Sequence, residues 1–166
     1  MEKKTVTIEK FVKDQIKKWE RHFPAKHKKE EARIPVITVS KEPGADGNIL
    51  AQKIAERLDL DIFNRDIIKG IAESAKISAS VIETLEKKRL SGVEDFISSL
   101  VNKQYLYPGV YLEHLMKLLS TIAEHGRAVI VGRGANFILP PEKRFSVRIV
   151  APLDVRIQNI ARRFDV

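Results

Sequence analysis

Apolar side chains recur at helical spacing near the start of the chain. Over residues 8–23 the lysines and arginines fall largely off this apolar stripe, so the pattern predicts an amphipathic helix. Such a stripe needs something to pack on. We expect this to be the body of the domain or a second copy of the chain, and a partner helix or a membrane surface is the alternative. The stripe consists of Ile8, Phe11, Val12, Gln15, Ile16, Trp19 and Phe23.

A charged segment without core residues follows the predicted helix. It runs from Pro24 to Arg33 and has the composition of a linker. The globular part is therefore predicted to start near Ile34. This divides the chain into a basic helical arm with its linker, residues 1–33, and an α/β domain, residues 34–166.

Four short segments predict strands at 36–40, 61–63, 128–131 and 146–150, and the last two of these are rich in β-branched residues. Helical patterns separate them. Continuous apolar strands that alternate with helices predict buried strands in a doubly wound parallel sheet, with helices on both faces. The interval from about residue 64 to 126 is much longer than a minimal crossover, and in such a fold a long insert of this kind usually grips a second substrate.

The predicted helices can be given with their inward-facing residues. They comprise 47–58 with Leu50, Ala51, Ile54, Ala55 and Leu58 inward, a helix capped by Asn64 with Ile67, Ile68, Ile71 and Ala72 inward, helices that start near Ser78 and Val93, a long helix from Pro108 to Gly126, and 153–163.

Length and composition limit the function classes. A chain of 166 residues fits one domain, and without cysteine it can form no disulfide, thiolate metal site or cysteine nucleophile. The four histidines show no metal-ligand spacing, so no protein-ligated metal is predicted. No run approaches the roughly 20 apolar residues of a membrane span, and no apolar h-region follows Met1 to Lys4, so a secretory signal is not expected. We therefore predict a cytoplasmic protein that does not enter membranes.

The net charge of +8 is concentrated at the start of the chain. Residues 1–34 carry 11 basic against 6 acidic side chains, which gives +5, and residues 35–166 carry 19 against 16, which gives +3. A basic balance suits anionic ligands. Because acids are interleaved with the basic residues of the arm, the pattern disfavours nucleic-acid binding.

A glycine-containing turn joins the first predicted strand to the helix at 47. A strand, a glycine turn and a helix in this order are typical of a phosphate-binding loop, in which backbone N–H groups converge on an anion at the helix N-terminus. Laid on the motif GxxxxGK[ST], Lys41 stands for the first glycine, Asp46 for the second, Gly47 for the lysine and Asn48 for the hydroxyl residue. The candidate phosphate-binding residues are Gly44, Ala45, Asp46, Gly47 and Asn48. An ordinary strand-to-helix turn explains Gly44 and Gly47 equally well.

Two arginines each lie just past the end of a predicted strand, at the edge where ligands bind in open α/β sheets. Arg65 follows the strand at 61–63, and Arg133 follows the strand at 128–131 between Gly132 and Gly134. A guanidinium can hold a phosphate through two N–H groups. Flanking glycines allow a sharp turn and a close approach to a ligand, so Arg133 is the stronger candidate, whereas a solvated arginine beside Asp66 explains Arg65 equally well.

Three ordered blocks, Val39–Gly47, Phe63–Ile68 and Val129–Asn136, together resemble the cytidylate-kinase-like family of P-loop nucleoside monophosphate kinases. The resemblance covers about residues 35–166. It implies transfer of the terminal phosphoryl group of ATP, with Mg²⁺, to an acceptor such as CMP. Gly44 to Asn48 would hold the donor phosphates, Lys41 would add positive charge, and Arg65 with Arg133 would bind the acceptor phosphate.

The chain also departs from the family pattern. Family members commonly have arginine at the positions of Lys41 and Asn48 and a small residue at that of Asp46, where a carboxylate would face the polyphosphate. They also continue into an arginine-bearing lid, so the domain is expected to be truncated at the lid, with Arg156, Arg162 and Arg163 on its near side. The alternative explanation of these three arginines is a basic helix C-terminus favoured by the helix dipole.

The departures leave two further hypotheses open. One is a catalytically silent relative that binds nucleotide, or nothing, and acts as a regulatory or assembly module. The other, weaker, is a basic protein that binds polyanions. Turnover with ATP and CMP, nucleotide binding without turnover, and salt-sensitive nucleic-acid binding distinguish the three.

Overall fold

The structure is a computed structural model that describes residues 2–22, 36–73, 79–81, 93–95, 97–98 and 110–165. Four strands and six helices can be bounded in these ranges, along with a 3-10 turn at Pro141–Lys143. The strands are β1 (Val36–Lys41), β2 (Asp61–Phe63), β3 (Ala128–Val131) and β4 (Arg144–Ile149). The helices are α1 (Glu2–His22), α2 (Gly47–Leu58), α3 (Arg65–Ala72), α4 (Val110–His125), α5 (Ala135–Ile138) and α6 (Leu153–Phe164).

The chain divides into two compact units. One comprises Met1–Arg33 and Asp66–His125, and the other comprises Ile34–Arg65 and Gly126–Val166. The proposed boundary between an arm at 1–33 and a domain at 34–166 stays a prediction. Among the described helices, none combines the length and the apolar character that a membrane crossing requires.

In the first unit, the apolar stripe of α1 is used inside the chain. Val12 and Trp19 are buried, and the Trp19 ring stacks on the ring of His125 in α4 with centroids 4.0 Å apart and an angle of 7° between the planes. Ile8 lies against Gly70 of α3 so closely that any larger residue there would overlap it. Because the stripe packs within the chain, a homo-oligomer through residues 8–23 has no support from this structure.

The second unit is built on a four-stranded parallel sheet in the order β2-β3-β1-β4. This confirms the α/β class and the parallel sheet flanked by helices. Val39 of β1 pairs with Val131 of β3, and Ala51 and Ala55 of α2 pack with both valines in one buried cluster. Since all four strands are parallel, the residues that follow them emerge at the same edge of the sheet.

The prediction that the fourth strand is buried was wrong. The strand begins at Arg144, two residues earlier than predicted, and it lies at the edge of the sheet, where Phe145 is 62% exposed. Its neighbour in sequence, α6, has no buried residue within the described chain. Both β4 and α6 carry apolar side chains, but these side chains are not buried within the second unit.

Two leucines of α2 were also placed wrongly. Leu50 is 43% exposed and Leu58 is 53% exposed, whereas the smaller Ala51 and Ala55 are buried. Leu58 is the last residue of the helix, and Leu50 lies about 100° around the helix from Ala51, at the flank of the buried face. Of the predicted helices near residues 78–85 and 93–101, the structure describes residues 79–81, 93–95 and 97–98, and all of these are helical. The rest of both helices lies outside the described residues.

Candidate functional site

The glycine loop, residues 42–46, connects the carboxyl end of β1 to the first turn of α2. The loop closes on itself through a bond from the Ala45 N–H to the Glu42 carbonyl, 3.2 Å. Gly44 has a φ of 79° and Asp46 a φ of 52°, both in the left-handed region. These two residues reverse the direction of the chain, so that α2 begins immediately after the carboxyl end of β1.

Four backbone N–H groups around the loop are left without acceptors in the part of the chain that the structure describes. They belong to Gly44, Asp46, Gly47 and Asn48. The fifth candidate, Ala45, uses its N–H inside the loop. The first turn of a helix carries unpaired N–H groups and partial positive charge, so this end of α2 offers donors to an anion.

Asp46 does not satisfy these donors. It is the N-cap residue of α2, but in its left-handed conformation its side chain makes no capping hydrogen bond. Its carboxylate instead lies 3.7 Å from the guanidinium of Arg163 in α6. The carboxylate therefore faces an arginine and leaves the helix amides open.

Helix α6 holds the loop from one side. The Asn159 side-chain amide donates to the Gly44 carbonyl at 2.8 Å, and the Arg156 guanidinium lies 3.5 Å from the carboxylate of Glu42. The latter is an ion pair without good hydrogen-bond geometry, since the buried Arg156 Nε has no hydrogen-bond acceptor within the described ranges. Positions 156, 159 and 163 share one face of a helix. This face of α6 is turned toward the glycine loop.

Glu42 and Asn159 were missed by the sequence analysis. Glu42 has a second arginine nearby, since Arg148 of β4 lies 3.7 Å from its other carboxylate oxygen, and its own N–H donates to the Ile149 carbonyl at 3.1 Å. The helical spacing of Asn159 between Arg156 and Arg163 was the available signal. It points to a shared face but not to the loop that this face contacts.

Of the three arginines predicted on the lid side, Arg162 is not brought to the loop. It lines a surface depression of about 500 Å³ together with Gln158, Ala161 and Asp165, along the opposite part of α6. Arg156 and Arg163 are engaged with Glu42 and Asp46.

Lys41 is the last residue of β1, and its side chain runs across the start of α2. A Cβ atom added to Gly47 would lie 2.6 Å from both the Cβ and the Cδ of Lys41. No carboxylate of the described chain pairs with the Lys41 ammonium, which leaves it available to an external anion.

Arg133 occupies the tight turn after β3. Gly132, Arg133 and Gly134 have φ values of 76°, 57° and 68°, and the Gly132 N–H donates to the Val39 carbonyl of β1 at 2.9 Å. A non-glycine residue in this conformation is uncommon and is often found at functional sites. No atom lies within 4 Å of a Cβ added at Gly132 or Gly134, so these glycines serve the turn and not a close contact.

The guanidinium of Arg133 has buried nitrogens without partners. Its Nε and Nη2 have no hydrogen-bond acceptor in the described chain. A buried donor that lacks a partner costs about 1–3 kcal/mol, more when it is charged. An oxyanion that bound there would remove this cost.

Arg65 lies at the same edge of the sheet. It follows β2, whose Phe63 pairs with Ile130 of β3, and β3 in turn pairs with β1. Neighbouring strands are about 4.8 Å apart, so the residues after β2, β3 and β1 succeed one another along this edge. Arg65 is exposed, and no acidic partner is found for it among the described residues.

The sheet edge carries positive charge, and the acidic side chains near it are paired with arginines. Lys41, Arg65 and Arg133, which have no acidic partner among the described residues, lie at one sheet edge with the loop amides that have no acceptor there. The acids closest to the loop, Glu42 and Asp46, are each neutralised by arginines of β4 or α6. In the described residues no group of three His, Cys, Asp or Glu side chains could hold a metal ion. The edge is therefore suited to bind phosphate groups and lacks a resident metal site among these residues.

The sequence and the structure were compared with those of known proteins. A model of the cytidylate kinase-like family matches residues 36–166. The crystal structure of an uncharacterized protein from Eubacterium ventriosum resembles this one with a TM-score of 0.53 at 18% identity, over 80% of this chain and 63% of that chain. At this identity the resemblance shows the fold, and this chain spans less than two thirds of that protein. No curated protein matches the chain.

Proposed function

Since the chain belongs to the cytidylate kinase-like family, we propose that it is a nucleoside monophosphate kinase that transfers the terminal phosphoryl group of ATP to a CMP-like acceptor. The family establishes a kinase-like nucleotide-binding fold. The acceptor and the activity are the proposal.

One structural observation supports the proposed kinase function most directly. Arg133 presents buried guanidinium nitrogens at the same sheet edge as a glycine loop with four free N–H groups, and neither set has hydrogen-bond partners in the part of the chain that the structure describes. A kinase of this kind needs two phosphate sites on one edge, one for the donor and one for the acceptor, because transfer requires the two groups in line.

The donor phosphates would be bound by the amides of Gly44, Asp46, Gly47 and Asn48, with the positive end of α2 behind them. Lys41 would supply a full positive charge. Mg²⁺ would arrive bound to ATP and neutralise part of the charge on the donor phosphates.

The acceptor phosphate would be held by Arg133, with Arg65 beside it. An oxygen of this phosphate forms the new bond to the γ-phosphorus of ATP, while the bond from that phosphorus to the oxygen bridging it to the β-phosphate breaks. ADP then leaves with the bonding electron pair. Little acid–base chemistry is needed from the protein, since positioning and charge neutralisation dominate this reaction.

The direct test is a turnover assay with ATP, Mg²⁺ and each of CMP, dCMP, UMP and AMP in turn. We expect ADP and a nucleoside diphosphate to form fastest with a cytidine acceptor. Arg133→Gln should abolish most of the turnover, and Arg162→Gln is the matched control because that arginine faces away from the loop. Absence of any nucleoside diphosphate with the wild-type protein would contradict the proposal.

A second candidate is a catalytically silent nucleotide-binding module of the same fold. Asp46 favours it, because a carboxylate stands at a loop position where family members carry a small residue. Such a module would bind ATP without forming product, and its ATP affinity would not change when CMP is added.

A further inference from the structure

Helix α1 lies ahead of the residues that the family model matches, which begin at residue 36. It is packed within the chain, since Val12, Gln15 and Trp19 on one of its faces are buried. A helix that buries such a face is held by the elements it contacts, and it holds them in turn. The role of α1 can therefore be sought in its contacts.

These contacts reach both ends of the long interval between β2 and β3. Ile8 lies against Gly70 of α3, which is the first helix after β2. The ring of Trp19 stacks on that of His125 at the end of α4, which precedes β3. Positions 8 and 19 are three turns apart, about 16 Å along the helix axis. Within its own unit, α1 thus contacts the beginning and the end of this interval.

Gly70 provides the seat for Ile8. A Cβ added at Gly70 would overlap the Cδ1 atom of Ile8, and it would lie 3.4 Å from Cγ1 and 3.7 Å from Cγ2 of the same side chain. The backbone does not require glycine there, because Gly70 lies inside α3 and is not among the residues with positive φ. Glycine is a poor helix former, so the contact with Ile8 is the feature of the described structure that favours it.

Helix α3 carries the acceptor candidate Arg65 as its first residue. Gly70 follows five residues later in the same helix, about 7.5 Å along its axis. Arg65 is exposed and has no acidic partner among the described residues, so no ion pair there fixes its direction. The direction in which Arg65 leaves the helix then depends on how α3 itself is held.

We infer that Ile8 is a positioning residue for the acceptor site, because its seat on Gly70 holds α3 so that Arg65 is directed at the acceptor phosphate. Ile8 acts through Arg65 and touches no substrate itself. This inference rests on the proposed function for its ligand. It gives α1, which the family model does not include, a part in substrate binding.

The seat can be tested without any nucleotide by moving one methyl group across the contact. Ile8→Val removes Cδ1, the atom that a Cβ at position 70 would overlap, and Gly70→Ala adds that Cβ. We expect Gly70→Ala to lower the melting temperature of the wild-type protein. In the Ile8→Val background it should raise the melting temperature by about 2 °C or more, because alanine is the better helix former. The same change in both backgrounds would overturn the seat.

The positioning role is tested by initial-rate measurements with ATP, Mg²⁺ and the acceptor. Ile8→Ala should raise the KM for the acceptor by about 3- to 5-fold and leave the KM for ATP unchanged. In an Arg65→Gln background the same change should raise the acceptor KM no further, since Ile8 acts through Arg65. The exchange variant, Ile8→Val with Gly70→Ala, should keep the wild-type acceptor KM because it restores the contact.

Ile122→Val is the control for a general loss of stability. It removes one methyl group from a fully buried side chain of α4. It should lower the melting temperature and leave the acceptor KM unchanged. A rise in acceptor KM as large as that of Ile8→Ala would mean that stability and not position sets this KM, and the inference would be wrong.

The outcomes separate this inference from the proposed function. If the wild-type protein phosphorylates the acceptor but Ile8→Ala leaves the acceptor KM unchanged, the inference is wrong and the proposed function stands. An equal rise in the wild-type and Arg65→Gln backgrounds has the same meaning. If the wild-type protein forms no nucleoside diphosphate, both are wrong. Should Ile8→Ala fail to fold by circular dichroism, Ile8→Val takes its place in the same comparison.

Discussion

The carboxylate of Asp46 lies 3.7 Å from the guanidinium of Arg163, across the gap between the glycine loop and α6. This contact turns the one acidic side chain at the tip of the loop away from the amides that it would otherwise cap. It also neutralises a charge that would repel a polyphosphate.

The first prediction concerns this carboxylate. Asp46→Asn removes the charge and keeps a residue that tolerates the left-handed conformation. A like-charge contact at 4 Å costs about 4 kcal/mol at a surface-like dielectric, and pairing with Arg163 and partial exposure reduce this. We therefore expect Mg·ATP to bind about tenfold more tightly to Asp46→Asn.

Asp59→Asn is the matched control for that titration. Asp59 also has a left-handed φ, 51°, and it also pairs with an arginine, Arg127, but at the other end of α2. It should leave ATP affinity unchanged. Equal ATP affinities for Asp46→Asn and the wild-type protein would show that the carboxylate does not oppose the donor.

The second prediction compares the two glycines with positive φ at 44 and 134. At Gly134 an added Cβ meets nothing, so Gly134→Ala should cost only the left-handed strain of about 1–2 kcal/mol in the free energy of unfolding. At Gly44 an added Cβ would overlap the backbone carbonyl oxygen of Arg156 and lie 2.9 Å from its carbonyl carbon. Gly44→Ala should therefore cost at least about 3 kcal/mol, since backbone must move.

Urea denaturation of the two variants measures this difference. We expect Gly44→Ala to lose more free energy of unfolding than Gly134→Ala. Similar free energies of unfolding for both variants would mean that α6 does not lie against the loop as the structure has it.

The third prediction concerns Asn159, whose side-chain amide donates to the Gly44 carbonyl. Asn159→Asp keeps the shape but sets a carboxylate oxygen against that carbonyl, so we expect a loss of about 1–3 kcal/mol in the free energy of unfolding. ATP affinity should fall as well, because the loop loses a support. Gln158→Glu makes the same chemical change on a neighbouring residue of α6 that does not contact the loop, and an effect as large there would contradict the assignment.

The fourth prediction ranks the two acceptor arginines. Arg133 carries buried nitrogens that lack a hydrogen-bond partner among the described residues, whereas Arg65 is exposed. Loss of a desolvated charge contact costs more than loss of a solvated one. Arg133→Gln should therefore raise the KM for the acceptor by about 10- to 100-fold, and Arg65→Gln by less than about tenfold, in initial-rate measurements at saturating ATP. The reverse order would place the acceptor phosphate at Arg65.

Much of the fold could be predicted from the sequence because its elements are strongly patterned. The second and third strands begin and end where predicted, at 61–63 and 128–131, and α2 spans the predicted 47–58. Apolar β-branched runs between helices are enough to predict a parallel sheet. The stripe of α1 was correctly recognised as a packing face.

The wrong predictions concern burial, which depends on neighbouring elements as well as on the residue pattern of one element. An apolar strand has the same residue pattern at the centre of a sheet and at its edge, so the exposure of Phe145 could not be predicted without the strand order. The four-residue helix at Ala135–Ile138 is too short to show a period. A cytoplasmic location was inferred from composition and stays a prediction.

The position of the candidate residues in the fold could be predicted in part, and their role as a site stays a prediction. Arg65 and Arg133 were placed from the strand ends, because parallel strands bring their carboxyl ends to one edge, and Lys41 was placed from the loop motif. The left-handed conformations of Asp46 and Arg133 could not be foreseen, since non-glycine residues seldom adopt them. Contacts between residues far apart in sequence, such as Asn159 with Gly44, leave no local pattern.

The central claim is that donor and acceptor phosphates bind at one edge, close enough for transfer. A bisubstrate ligand, adenosine and cytidine joined through a chain of phosphates, tests it by calorimetric titration. The account predicts that this ligand binds more tightly than either ATP or CMP alone and that Lys41→Met and Arg133→Gln each weaken it. Binding no tighter than that of ATP, with no effect of Arg133→Gln, would contradict the claim.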